Sequence, residues 1–281
     1  GWVATHGEPL IINDASRDSR FDKGVDKATG FETKSVICTP LIVGDRIIGV
    51  IEVLNKINGG TFDTHDQEIM MSVASTVALT IDSARIRQGL LDSYKATMLV
   101  LAAAVETRDS YARGHAQRVA EYVFLQANSL ALSREEKEAI EYAAILHDIG
   151  KAYIPDKILL KPGPFTAEEW KIMHKHPAIG ANMLKQVPLL VETSKLVLHH
   201  HERYDGSGYP SGLKGEAIPL GARLIAVADA FDTMTTSHLY RASYTVDFAI
   251  GKLRRSSRTQ FCPAAVQTFI SGFSKFHFVS G

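Results

Sequence analysis

Five histidines and two aspartates constrain this chain more than any other feature: His115, His147, Asp148, His176, His200, His201 and Asp229. They fall in short motifs, among them His147-Asp148-Ile149-Gly150-Lys151, His176-Pro177, His199-His200-His201-Glu202 and Ala228-Asp229-Ala230, with Asp205-Gly206-Ser207-Gly208-Tyr209-Pro210 between the last two. Each of the seven lies in a context that reads as helix or helix edge. Asp229 sits among Ile225, Ala226, Val227, Ala228 and Ala230, where an unpaired carboxylate is costly to bury. A metal ion removes that cost. The fold expected is one in which separate helices converge on a shared pair of cations.

The donor set is five imidazoles and two carboxylates with no thiolate. It suits two divalent transition metals, Fe or Mn first and Ni, Co or Zn after them, rather than a cysteine-type structural zinc. Asp148 has two oxygens and can bridge two ions, whereas His147 can ligate only one. Lys151 follows one helical turn later, on the same side as the pair, where an ammonium meets a phosphate or leaving-group oxygen. Two ions about 3.5–4 Å apart activate water and direct in-line attack on phosphorus, so the implied chemistry is phosphoester hydrolysis. His174, with no partner motif, reads as an incidental surface or core histidine and His199 as a support, while His6, His65 and His277 read as structural or incidental.

The chain has 281 residues, enough for two domains, and 45% are hydrophobic. Lys and Arg together number 31, as do Asp and Glu, so there is no cationic excess of the kind that grips a nucleic-acid polymer. A small anionic substrate remains compatible, because bound metals supply positive charge locally. Cys38 and Cys262 lie far apart in unlike contexts and suggest neither a disulfide nor a Cys-based zinc site. That usage fits a reducing compartment, and the cytoplasm is expected. No apolar run of the roughly 18 residues needed to cross a bilayer is apparent. The chain opens on Gly1-Trp2-Val3 with no initiator Met and reads as part of a longer protein, whose remainder would carry any membrane anchor or receiver domain.

Residues 1–80 read as mixed α/β. Strands are predicted at Pro9 to Ile12, Ser35 to Val43 and Arg46 to Leu54, with a hairpin at Gly44-Asp45. A helix start at Asp63 to Asp66 leads into an apolar pattern from Ile69 to Ile81. A second helical pattern runs from about Thr80 to Arg108. Within it, residues 81–97 are assigned as a linker helix that pairs with its twin in a homodimer. Residues 98–281 read as all-helical, with predicted helices ending at Arg254. Ser133 and Thr166 are capping-box starts.

The first segment resembles the C-terminal part of a GAF sensor domain, on Gly1 to Ala4, Pro9 to Asp14 and the hairpin. The set Asn55-Lys56, Phe62 and Asp66 is similar to a pattern of cyclic-nucleotide-binding GAF domains, with Gln67 where that pattern has Glu. A stabilising Lys-Asp contact is expected here rather than nucleotide binding.

The second half, Thr97 to Phe273, resembles the HD-GYP phosphodiesterases of the HD hydrolase superfamily. The resemblance rests on the His147 to Lys151 and His199 to Arg203 motifs, on Gly208-Tyr209-Pro210 and on Arg223 to Asp232. It implies an all-α HD-type helical domain behind the partial GAF-like α/β domain, and hydrolysis of cyclic di-GMP to the linear dinucleotide, GMP or both. By the same resemblance His115, His147, Asp148 and Asp229 hold one metal, and Asp148, His176, His200 and His201 the other. Asp148 and Lys151 are the catalytic candidates, and Lys151, Tyr209 and Arg241 the substrate-binding ones.

Three departures bear on this. Tyr111 stands where some members carry a Glu for a third metal, so two metals are expected. His238-Leu239-Tyr240-Arg241 replaces Arg-Pro-Tyr-Arg and loses one guanidinium. Cys262 replaces an Asp that would cap the following helix. Two alternatives stand beside catalysis on cyclic di-GMP, and the altered segment favours the first. One is a catalytically weak interaction module that docks a diguanylate cyclase domain through the loop from Asp205 to Pro219. The other is hydrolysis of another cyclic dinucleotide.

Overall fold

The computed structural model describes residues 1–108, 114–236 and 243–279, with side chains described except at positions 23, 25, 58 and 275–279. The chain divides into two compact units, Gly1–Ser93 and Tyr94–Gly281.

The first unit holds α1 (Trp2–His6), β1 (Leu10–Ile12), α2 (Lys23–Thr29), β2 (Val36–Val43), β3 (Arg46–Leu54) and the first part of α3 (Thr64–Glu106). The strands form an antiparallel sheet in the order β1-β2-β3. Their β-branched residues suit a pleated, half-buried surface. Gly44, at φ 58°, makes the β2–β3 turn in a conformation that glycine adopts without strain. Val3, Leu10, Ile12, Val36 and Cys38 form one core cluster, and Leu41 packs with Ala74 and Ala78 of α3 in another. The expected Lys-Asp contact is present: the Lys56 ammonium donates to Asp66 in the first turn of α3.

The two helical patterns predicted on either side of residue 80 are a single helix of 43 residues. No proline interrupts it, and the lone Gly89 costs only about 1 kcal/mol in a helix interior. Among the described residues α3 is also the one helix long and apolar enough to cross a membrane, with a mean hydropathy of 1.3 in its best stretch, where the sequence pattern suggested no such run. Part of that apolar content is accounted for by Ala74 and Ala78, which lie against the sheet.

The second unit contains the end of α3 and α4 (His115–Ala127), α5 (Arg134–Leu146), α6 (Asp156–Leu159), α7 (Ala167–Met173), α8 (His176–Leu184), α9 (Val191–His199), α10 (Leu220–Thr235), α11 (Val246–Arg255) and α12 (Pro263–Val279). Among the described residues it has no strand, only an isolated bridge between Ser257 and Phe261. Ser133 and Thr166 each form the predicted capping box, with Glu136 and Glu169. The core joins Val119 and Val123 of α4, Ile145 of α5, Val197 of α9 and Val227 and Phe231 of α10. The α12 helix is the one expected to follow Cys262, although the helical periodicity marked nothing beyond Arg254. Its Phe269 and Phe273 rings pack 4.8 and 5.0 Å from Phe231 and close this core.

One backbone approach sets the position of the polar cluster. After α5 the chain makes a 3-10 turn, Ile149–Tyr153, that lies against the start of α8. A Cβ at Gly150 would fall 2.0 Å from the His176 carbonyl oxygen and 2.7 Å from the Gly180 nitrogen. Only glycine lets Asp148 and His176 approach from these two elements. Gly150→Ala is expected to destabilise the second unit by at least the ~1–3 kcal/mol typical of overpacking. In calorimetry this lowers the Tm by several degrees, and an unchanged Tm would contradict the account.

Candidate metal centre

Most of the seven sequence-selected residues sit at helix ends. His115 and His176 open α4 and α8; His147 and Asp148 follow the last residue of α5, and His200 and His201 the last residue of α9. Asp229 projects from the middle of α10. The buried run Ala143 to Leu146 carries the α5 end into the interior, where His147 is 1% exposed, as are His176 and His200.

The structure brings all seven together. His115 Nε2 lies 3.3 Å from His147 Nε2 and 3.4 Å from Asp229 Oδ1. His147 Nε2 is 3.4 Å from Asp148 Oδ2, while His176 Nε2 is 3.4 Å from Asp148 Oδ1. His176 Nε2 faces His200 Nε2 at 3.4 Å, and the His201 ring centroid is 4.0 Å from that of His200. Asp148, His176, His200 and His201 thus form one candidate cation site, and His115, His147 and Asp148 a second. Asp148 belongs to both and turns one oxygen toward each.

The hydrogen bonds assign the imidazole protons. Nδ1 of His147, His176 and His200 lies 2.8, 2.8 and 2.6 Å from the carbonyl oxygens of Ala144, Met173 and Val197. Each Nδ1–H donates there, which leaves a lone pair on each Nε2. Burial lowers His176 to about 4 and His201 to about 3, and holds His200 well below its ordinary value. At neutral pH no proton lies between the facing nitrogens of His176 and His200. Two buried lone pairs at 3.4 Å are unfavourable alone and become ligands once a cation sits between them. His115 behaves differently. Burial opposes its charge, but hydrogen bonds to Asp229 and Asp232 outweigh burial and raise it to about 10. Burial also works against charge on Asp148 and Asp229. The Lys151 ammonium nevertheless holds Asp148 ionised, and His115 does the same for Asp229.

Lys151 Nζ donates to Asp148 Oδ2 at 2.6 Å. The Tyr209 ring lies 4.9 Å from that of His201. Burial, reinforced by the charges of Asp148 and Asp229, raises the Tyr209 phenol and keeps it protonated. Arg241, Tyr111 and the His238-Leu239 pair lie outside the described residues. A cavity of about 310 Å³ opens beside His200, His201 and Asp229 and is flanked by Arg203, Lys252 and Gln260.

Four residues beside the centre are not among the sequence-selected set. Asp232, 1% exposed, accepts from His115 Nδ1 at 2.8 Å and from Arg118 Nε at 2.7 Å, which fixes the His115 ring. Both lie three residues beyond a candidate ligand, Asp232 after Asp229 and Arg118 after His115, a spacing that puts them on the same helix face. Buried Glu202 accepts from the Ser211 and Leu213 amides at 2.7 and 3.1 Å and so holds the loop that carries Tyr209. His174, read as incidental, stacks on Tyr209 with ring centroids 3.8 Å apart. Only the folded loop brings those two rings together. The Cys262 Sγ accepts from Arg223 Nη1 at 3.5 Å.

Residues 100–264 match the family model described as the HD domain, and residues 1–81 match the GAF domain. The cyclic di-GMP phosphodiesterase response regulator RpfG of Xanthomonas campestris pv. campestris is 42% identical over 187 residues, 66% of this chain and 50% of that protein. The 3'3'-cGAMP-specific phosphodiesterase 2 of Vibrio cholerae serotype O1 is 33% identical over 213 residues, 75% of this chain and 41% of that protein. A crystal structure of a cyclic GMP-AMP-specific phosphodiesterase from V. cholerae shares the fold, with a TM-score of 0.53 at 18% identity over 66% of this chain and 49% of the other. The chain spans about half the length, or less, of the curated relatives it matches. With the helical unit matched over 165 residues, from 100 to 264, the chain belongs to the HD domain family.

Proposed function

We propose that this chain is a metal-dependent phosphodiesterase that hydrolyses cyclic di-GMP to the linear dinucleotide, GMP or both, under the control of its GAF-like segment. The observation that carries this reading is the pair of buried, neutral imidazoles of His176 and His200, whose lone pairs face each other beside the ionised Asp148. His115, His147, Asp148 and Asp229 would hold one divalent ion, and Asp148, His176, His200 and His201 the other, with Fe or Mn preferred by the all-N,O donor set. When bound, the two ions supply the charge and the activated water that phosphodiester cleavage needs.

The protein groups do the rest. The backbone carbonyls orient the imidazoles and fix their tautomers. Lys151 brings an ammonium beside Asp148, within reach of a phosphate oxygen. Tyr209, held flat by His174, presents a neutral phenol to the same space. Arg203 and Lys252 line the cavity beside His200, His201 and Asp229, where Lys252 would offer a cation to a phosphate.

A second substrate, 3'3'-cGAMP, is favoured by one finding: relatives named for it match at 33–35% identity. Control by the first unit is supported by its own cavity of about 560 Å³, lined by Trp2, Phe21, Cys38 and Glu52 among others. Homodimerisation through α3 is supported by Leu79, Ile86 and Leu90, spaced by seven and four residues and 61%, 64% and 51% exposed. The two cysteines, unpaired and buried, support a reducing compartment, the cytoplasm.

Protein loaded anaerobically with Mn(II) or Fe(II) is expected to release linear product from cyclic di-GMP, with 3'3'-cGAMP assayed alongside. Asp148→Ala should lower turnover by more than the 10–100-fold typical of residues that only support a ligand. Equal turnover by the two proteins would reject the proposal. Asp232→Asn keeps the shape but weakens the grip on His115. It is expected to lower metal affinity about 10–100-fold in a chelator competition, and wild-type affinity in that variant would show that the Asp232 contact is idle.

A further inference from the structure

Two residues, one at the C-terminal end of α3 and one just beyond it, reach the candidate metal centre without belonging to its ligand set. Glu106 is the last residue of α3. Its carboxylate accepts from two separate amides, Gly114 N–H at 2.8 Å and Ala116 N–H at 2.7 Å. These amides flank His115. The α4 helix has no side-chain cap from its own N-cap residue, Gly114, so Glu106 satisfies its orphan donors from elsewhere in the chain. A negative charge at that end is also favoured by the helix dipole.

Arg108 holds the segment that follows Asp148. Its Nη1 donates to the carbonyl oxygens of Lys151 and Ala152 at 3.2 and 2.7 Å, its Nη2 to that of Ile154 at 2.8 Å, and its Nε to Asp156 Oδ1 at 3.1 Å. Glu106, His115, Asp148 and Lys151 line one narrow cavity. Each Glu106 oxygen accepts from an amide, and Glu106 falls in neither candidate cation group, so its place there is that of a brace.

We propose that Glu106 and Arg108 are positioning residues that fasten His115 and the Asp148–Lys151 segment to the end of α3, so that the geometry of the centre follows that of the helix end. The inference rests on reading the seven residues as a metal site. It assigns to α3 a physical grip on both candidate ion positions: Glu106 acts on the His115 side, and Arg108 acts on the shared Asp148.

The experiment titrates Mn(II) into the wild-type chain and into Glu106→Gln, Arg108→Lys and Lys95→Ala, with amide hydrogen exchange followed in parallel. Glu106→Gln keeps the side-chain shape but leaves one acceptor oxygen for two amides. Arg108→Lys keeps the charge but loses the planar fork that spans several carbonyls. Lys95 pairs with Glu141 of α5, another tie from α3 that touches no candidate ligand. Glu106→Gln is expected to weaken one of two Mn(II) sites about tenfold or more, with faster exchange at Gly114 and Ala116. Arg108→Lys should weaken both sites, and Lys95→Ala neither. Two wild-type affinities in Glu106→Gln, with its amides deprotected, would overturn the inference while leaving the metal centre standing. So would an equal loss in Lys95→Ala, which would mark a general loosening. A wild-type chain that takes up no Mn(II) would remove the metal reading itself, and with it this one.

Discussion

The structure is organised around the approach of buried imidazole nitrogens to Asp148. His147, His176 and His200 each donate Nδ1–H to the carbonyl three residues earlier, at Ala144, Met173 and Val197. One local device, repeated at three helix boundaries, fixes ring orientation and tautomer together. It turns three Nε2 lone pairs toward one carboxylate with no protein donor between those of His176 and His200. Desolvation then keeps His176 and His200 neutral at physiological pH. A cation between those nitrogens would relieve the arrangement, and would tie the folding of the helical unit to metal binding.

Close packing delivers the groups to that point. Gly150 lets the turn after α5 touch the backbone of α8. Gly208, where a Cβ would lie 2.2 Å from the Arg203 nitrogen, lets the Tyr209 loop fold back on the end of the His200-His201 segment. Gly221 admits α10 against Leu196 and Ile140, where a Cβ would come within 2.7–2.8 Å of their side chains. Behind these contacts, buried Asp232 pairs with half-buried Arg118 and holds the His115 ring. The candidate centre therefore depends on glycines and on outer charges as much as on its candidate ligands, because even a small displacement of any element would separate the nitrogens.

What was legible in the sequence follows from the same physics. Asp229 stands among apolar Ile225 to Ala230, where a carboxylate is costly unless used, and the seven occur together in short motifs, so they could be marked as candidates without coordinates. Capping boxes at Ser133 and Thr166 were legible because their partners lie three residues away. Asp232, Glu202 and His174 were not. Their roles depend on a partner 117 residues distant for Asp232, on a returning loop for Glu202, and on a ring brought over by that loop for His174. The continuity of α3 was hidden because its apolar face changes partner along its length, from Leu41 in the sheet to the helical core that takes Met98 and Ala102.

The proposed centre holds two ions that share Asp148, and anomalous diffraction from crystals equilibrated with Mn(II) is its sharpest test. Two peaks about 3.5–4 Å apart are expected, one within reach of His115, His147 and Asp229 and the other within reach of His176, His200 and His201. A single peak away from Asp148, or none at saturating Mn(II), would contradict it.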